Sequence, residues 1–277
     1  MGHETFSARA FTATAKEVER EGGSATRRGE QRHREGKGLD PLVDPKGYGG
    51  IRRSISRMDK QGDHFVLNVG WAMLTELRFD TTGSMGGNVD LAFQALPRRY
   101  KLLKEVGRAP LGRYDLQAIN SIFGDVSDNY VLCRSQAEMG AKIAEQLRLM
   151  VPEKDGNDFP EDPHYGLFGA AYLTSADIVR RGLKSYDFTV TDAPARDRLS
   201  PSVLTRVFGD EVFDWVKANG HDIKKSDLPT TKEVVQDLLE IAHAFLIQVG
   251  TTEETAEFWA NVYGLERIIT ISSVKHL

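Results

Sequence analysis

Residues 72 to 87 read AMLTELRFDTTGSMGG, and this stretch decides the fold. Ala72 to Phe79 is a largely apolar run of strand length, and it stops at Asp80. A Thr-Thr-Gly-Ser turn follows. Asn88 to Val106 (NVDLAFQALPRRYKLLKEV) then places apolar residues at three- and four-residue spacing, which predicts a helix with a kink at Pro97. Strand, polar turn and helix in that order form the unit from which parallel sheets are built. Further along the chain the same alternation recurs. Strands are predicted at Tyr114 to Phe123, Tyr130 to Arg134, Tyr186 to Thr191, His243 to Val249 and Arg267 to Ser272. Helices are predicted at Gln136 to Met150, His164 to Gly182, Pro201 to Asn219, Thr231 to Ile241 and Thr252 to Tyr263. The pattern predicts an α/β fold, a doubly wound, mostly parallel sheet with helices on both faces. In such a sheet a ligand site lies outside the carboxyl ends of the strands, near the point where strand order reverses.

The 277 residues suffice for one large α/β domain. Hydrophobic residues make up 40% and charged residues 27%, the balance of a soluble globular protein, and the longest apolar stretch, Ile241 to Val249, is too short to span a bilayer. No membrane span is expected. The opening MGHETFSARAF lacks the basic start, apolar centre and cleavage site of a secretory leader, so the expected compartment is the cytoplasm. The single cysteine, Cys133, has no partner for a disulfide or a zinc site and reads as a buried small hydrophobe.

Charge divides the chain. Residues 1 to 62 carry thirteen Lys and Arg against nine Asp and Glu, while the remainder carries 23 against 31. An acidic body disfavours nucleic-acid binding, because neutralising phosphates is the main source of that affinity. Gly22 to Gly50 is rich in Gly, Pro and charge, so residues 1–51 are expected to form a flexible basic arm ahead of a domain at 52–277. Within the arm RRGEQRHREGK interleaves glutamate with its basic residues and has no aromatics, which reads as a solvated linker.

Two strand ends carry the chemistry. Asp80, Thr82 and Ser84 follow the first confident strand, and Asp192 follows Tyr186 to Thr191 in FTVTDA. Carboxylates and hydroxyls together offer hard oxygen ligands, which suit Mg²⁺. The plainer alternative is that Asp-Thr-Thr-Gly only makes a turn and caps a helix.

These residues match the D-x-[ST]-x-S pattern of the metal-ion-dependent adhesion site of von Willebrand factor A domains. Asp192 resembles the aspartate of the T-D-G motif that ends that family's fourth strand, with Ala193 in the glycine position. The phrase FDTTGSM, with FGDVSD at Phe123 to Asp128, is similar to bacterial and phage-type proteins of the superfamily, and the similarity covers roughly Arg52 to Arg196. The resemblance implies a von Willebrand factor A or Rossmann-like fold holding Mg²⁺, or Mn²⁺ or Ca²⁺, through Asp80, Thr82, Ser84 and Asp192. It further implies that a protein partner supplies an acidic residue to the metal in place of a water, possible within a larger assembly. The family also supplies a threonine from the loop before the T-D-G strand's helix. Here that loop reads GNDFPED (156 to 162) without one, so Asp158 or Glu161 is the expected replacement, giving a more negative and less partner-hungry site. Asp125 follows a parallel strand and is expected to hold metal-bound water from outside the coordination sphere.

Enzymatic readings are weaker. Thr82 stands where a Gly-x-Ser-x-Gly hydrolase needs glycine, and no G-x-x-x-x-G-K-[ST] phosphate loop occurs. The seven histidines are scattered without zinc-ligand spacing, and His164 reads as a helix-start residue. Asp80, Asp158 and Asp192 leave a two-metal phosphoesterase as a minor alternative. The alternative from another class is a structural or assembly protein whose site is vestigial.

Overall fold

The computed structural model describes residues 8–55, 58–61, 64–67, 72–85, 89–91, 93–95, 98, 115–153, 159–250 and 252–276. Its centre is a six-stranded sheet. The strands are β4 (Ala72–Asp80), β5 (Asp115–Phe123), β6 (Leu132–Arg134), β8 (Ser185–Thr191), β9 (Ala242–Val249) and β10 (Ile268–Ile271). They lie in the order β10-β9-β8-β4-β5-β6. All neighbouring pairs run parallel except β5 with β6. The chain therefore starts at the middle, builds outward through β5 and β6, and returns to build the other half from β8. That is the doubly wound order, and its reversal falls between β4 and β8.

Every residue of β4 is buried, as expected of a central strand covered on both faces. On one face Leu77 and Phe79 join Ala118, Ile122, Val190 and Ile247 in a core that includes Phe93 and Ile143. On the other, Ala242, Ala244 and Leu246 pack with helices α4 (Pro163–Tyr172), α8 (Thr231–Ile241) and α9 (Glu253–Tyr263). Helices cover both faces.

Under α4 this second face is not apolar. Arg78 bonds Asp187 at 3.1 Å, Glu76 at 3.2 Å and Thr189 at 2.7 Å, and Arg134 bonds Glu76 at 2.6 Å. All four charged side chains are buried. Two cations against two anions keep the network neutral, which is the condition for burying charge at tolerable cost. Gly166 of α4 lies directly above it, where a Cβ would come within 2.4 Å of Arg78 Nε.

Several expectations are corrected. The helix predicted at Gln136 to Met150 is only Lys142–Leu147 (α3), because Glu138 exchanges backbone hydrogen bonds with Ala118 beside the sheet. The run from His164 to Gly182 breaks into α4, a strand β7 (Thr174–Ala176) and a short α5 (Asp177–Arg180). β7 pairs in parallel with β1 (Arg52–Ser54), a contact no local pattern announces, while β2 (Met58–Gln61) and β3 (His64–Leu67) pair antiparallel with each other. Gly209, at φ 99°, splits Pro201 to Asn219 into α6 (Pro201–Phe208) and α7 (Val212–Ala218). Within Asn88 to Val106, residues 89–91, 93–95 and 98 are helical, and the rest, Pro97 included, lies outside the described residues.

The segment expected to be a flexible arm contains two helices, α1 (Ala8–Arg20) and α2 (Arg27–Arg34). Phe11, Val18 and Ala25 are buried in the core, and the Phe11 ring packs at a tilt against Phe93, centroids 5.0 Å apart. Arg148 bonds Glu17 at 2.9 Å and also Glu21. Sparse apolar residues sufficed because Phe11, Ala15 and Val18 share one helical face.

Candidate functional site

Asp80 is the last residue of β4 and is fully buried. Its Oδ1 accepts from the Thr82 hydroxyl at 2.6 Å and the Thr82 amide at 2.9 Å, while Oδ2 accepts from the Thr191 hydroxyl at 2.7 Å. The register explains this. Phe79 lies opposite Val190, so the next residues, Asp80 and Thr191, emerge side by side at the switch point. Thr81 holds the turn to β5 by donating its amide and hydroxyl to Phe123 O.

Burial pushes the Asp80 carboxyl up to about 7, opposed by the hydrogen bonds from Thr82 and Thr191 and assisted by the charge of Asp192. Asp192 is therefore close enough to be felt, as the sequence predicts. Ala193 occupies the family's glycine position without strain, since Tyr48 is the one non-glycine residue with positive φ among those described. Its carbonyl accepts from Trp259 Nε1 at 2.8 Å, which ties the turn after β8 to α9.

Glu161 reaches the same place from another element. Its amide donates to Pro194 O at 3.0 Å and its carbonyl accepts from Arg196 N at 3.1 Å, so its backbone is pinned to the loop after β8. The side chain is 7% exposed. Burial, then the charges of Asp80 and Asp125 and a contact with the Asp125 carboxyl, raise it to about 10, against a lowering contribution from the Thr82 hydroxyl. Its Oε2 has no hydrogen-bond partner among the described residues. Asp125 is itself fully buried, two residues beyond β5.

The elements thus bring together Asp80, Thr82, Asp192, Glu161 and Asp125 of the predicted set. Asp158 lies outside the described residues. So does the side chain of Ser84, although its backbone forms part of the turn Gly83–Met85.

Two participants were not predicted. Thr191 donates its hydroxyl to Asp80 Oδ2. Asp162 accepts from Val126 N at 2.7 Å and Arg196 Nε at 3.1 Å, joining the β5 loop, the start of α4 and the β8 loop. Asp162 stands at the N-cap of α4, just before Pro163, but its side chain makes no cap bond. His164 is buried inside α4, with neither ring nitrogen hydrogen-bonded among the described residues. It sits in the first turn of α4, as expected, with Nε2 at 3.7 Å from Asp162 Oδ1.

Buried carboxyls that raise one another's proton affinity fold most readily when protonated, and they cost stability as pH rises through their shifted values. For Asp80 the benefit present below pH 3.8 is lost as pH passes about 7. A cation would relieve the same repulsion. Among the described residues no group of three His, Cys, Asp or Glu side chains is arranged to hold a metal ion. An ion here would therefore depend on hydroxyl and water oxygens beside Asp80 and Glu161, a set that suits a hard, partly hydrated cation. The partnerless Oε2 of Glu161, on a side chain that feels the charges of Asp80 and Asp125, fits that role.

No protein-family model matches the chain, and no curated protein does. Among solved structures it is similar to proximal thread matrix protein 1 from the mussel byssus, described with a zinc-occupied MIDAS motif. That match has 15% identity and a TM-score of 0.46 over 75% of this chain and 43% of that one. It is also similar to the pilus adhesin SpaC from Lactobacillus rhamnosus GG in an open conformation, at 11% identity and a TM-score of 0.47 over 75% and 28%. The chain spans less than half the length of either. At this degree of similarity the fold assignment rests on the strand order and not on these structures.

Proposed function

We propose that this protein is an interaction module that binds a divalent cation, Mg²⁺ or alternatively Mn²⁺ or Ca²⁺, and uses it to grip a protein partner. The observation that carries the reading is the convergence of Asp80, Thr82 and Glu161 on one buried point at the switch of strand order. In this reading Asp80 anchors the ion, Thr82 and Ser84 contribute hydroxyls, and Glu161 stands where the family has threonine. Asp192 and Asp125 hold water around the ion. The cation would supply an electrophilic centre that accepts a partner's carboxylate in place of a water.

Glu161 limits how strongly it does so. With two carboxylates near the ion the site attracts a third less than a hydroxyl-rich site would, so a partner is expected to bind through more than its acidic residue. No helix among the described residues is long and apolar enough to cross a membrane.

A second reading is a scaffold or assembly protein whose site is vestigial. Its support is that both oxygens of Asp80 already accept hydroxyl hydrogen bonds within the chain. Affinity capture from the native host with Mg²⁺ and with chelator in parallel separates the two. The interaction reading expects a partner retained by wild type in Mg²⁺ and lost both in chelator and from Asp80→Ala. Partners indifferent to chelator and to that substitution would support the scaffold.

A further inference from the structure

At the opposite, amino-terminal end of the central sheet lies a second concavity of about 450 Å³. Ser185, which borders it, begins β8, and Ile241, the last residue of α8, directly precedes β9. Its walls mix short apolar side chains with donors, and two arginines line it, Arg53 from β1 and Arg180 from α5. No acidic side chain is among the lining residues.

Both arginines are exposed, and neither forms an ion pair or side-chain hydrogen bond among the described residues. Their positions are set by regular structure. Arg53 lies directly across from Ser175 in the β1–β7 ladder, and α5 follows β7 without an intervening loop. Two such unpaired arginines beside a hollow with no carboxylate in its lining stand out on a body whose charge is otherwise predominantly acidic.

A bland account is that the arginines offset helix carbonyl ends, since the last turns of α4, α5, α7 and α8 border the hollow. The magnitudes do not favour it. Each helix end amounts to about half a negative charge. Part of that is already met, because Asn219 Nδ2 donates to Tyr172 O at 2.9 Å and Thr174 O at 3.3 Å. The four-residue α5 contributes little, so two full positive charges still leave a surplus over the ends of α4, α7 and α8. Burial lowers the affinity of His221 for a proton, so this neighbour adds a neutral ring and not a third charge.

We infer that this hollow is a binding site for a small oxyanion-headed ligand, a carboxylate or phosphate carried on a short apolar body. Planar guanidinium groups match either head with paired hydrogen bonds. Ser175 lies beside them as a neutral donor, while Ala170, Ala171, Val179 and Ile241 accept the apolar body. The volume is within the range of ordinary small-molecule sites. This site is independent of the cation centre, which belongs to the other end of the strands.

The test uses the full chain, dialysed free of divalent cations, with hexanoate and hexyl phosphate as separate probes at constant ionic strength. Calorimetry should detect saturable binding of at least one probe to wild type. Which probe binds identifies the head group. Arg53→Gln/Arg180→Gln, at two exposed positions, should keep its circular dichroism spectrum and weaken that binding about tenfold or more. Chloride at matched strength should not compete. The inference is overturned if wild type binds neither probe at millimolar concentration, or if the folded double variant binds as tightly as wild type. Single substitutions separate the contributions, since Arg53 and Arg180 come from different elements.

Discussion

Thr191 donates to Asp80 Oδ2 from the neighbouring strand at 2.7 Å in a fully buried setting. Thr191→Val keeps the shape and removes the donor. A hydrogen bond to a charged group contributes about 1.5–3 kcal/mol, so denaturant unfolding at pH 8 should show a loss of that order. An unchanged midpoint would mean that Thr191 does not hold the carboxylate. His164 gives a second residue-scale test. Burial lowers it from 6.5 to about 3, so the folded protein keeps it neutral. Its contribution is fully present above pH 6.5 and is lost as pH falls towards 3. His164→Phe, which cannot be protonated, should lose ground to wild type at pH 7 and recover it in acid. The gap should close by at most about 1.4 kcal/mol per pH unit below 6.5. Urea denaturation at pH 7 and pH 4.5 measures it; a gap that does not narrow in acid would contradict a buried neutral imidazole. Asp80 and Asp192 were legible because both end strands with polar turns behind them. Thr191 and Asp162 were not, because their roles depend on register and on contacts between loops far apart in sequence.

The central strands were readable for a reason visible in β4. Nine consecutive buried residues leave an apolar signature even with Glu76 and Arg78 among them. Helices that tertiary pairing interrupts were not readable. Glu138 and Thr174–Ala176 lie in stretches with helical spacing, yet Ala118 and β1 respectively claim their backbone groups. At this scale α4 is the sensitive element, since it begins beside Glu161 and covers the Arg78 network. Gly166→Ala would set a methyl about 2.4 Å from Arg78 Nε, and the rigid pairing of Arg78 with Asp187 and Glu76 leaves little room to yield. Overpacking of this kind costs about 1–3 kcal/mol. A thermal midpoint equal to that of wild type would show that α4 sits further from the sheet.

At the scale of the whole molecule the amino-terminal helices belong with the body. Phe11 and Val18 enter its core, and Arg148 ties Glu17 and Glu21 to the segment after α3. Composition alone suggested an arm because so few apolar residues are involved; their placement on one face mattered more than their number. Limited proteolysis should spare RRGEQRHREGK (residues 27 to 37) for as long as the body survives. Rapid cutting there, with the rest intact, would restore the flexible arm. The mostly parallel sheet, by contrast, was announced by the alternation read along the chain, and its strand order brings the ends of β4 and β8 together.

That juxtaposition is the basis of the cation reading, and calorimetric titration of Mg²⁺ and Mn²⁺ into wild type and Asp80→Ala tests it most directly, with thermal unfolding in parallel. Wild type should bind at least one ion, and its midpoint should rise with concentration, by about 2.7 kcal/mol of added stability at a hundredfold excess over Kd. Ser84→Ala should bind more weakly, because water can replace a neutral hydroxyl. Asp80→Ala should show neither heat nor shift. Absence of binding by wild type, or equal binding by wild type and a folded Asp80→Ala, would contradict the cation centre.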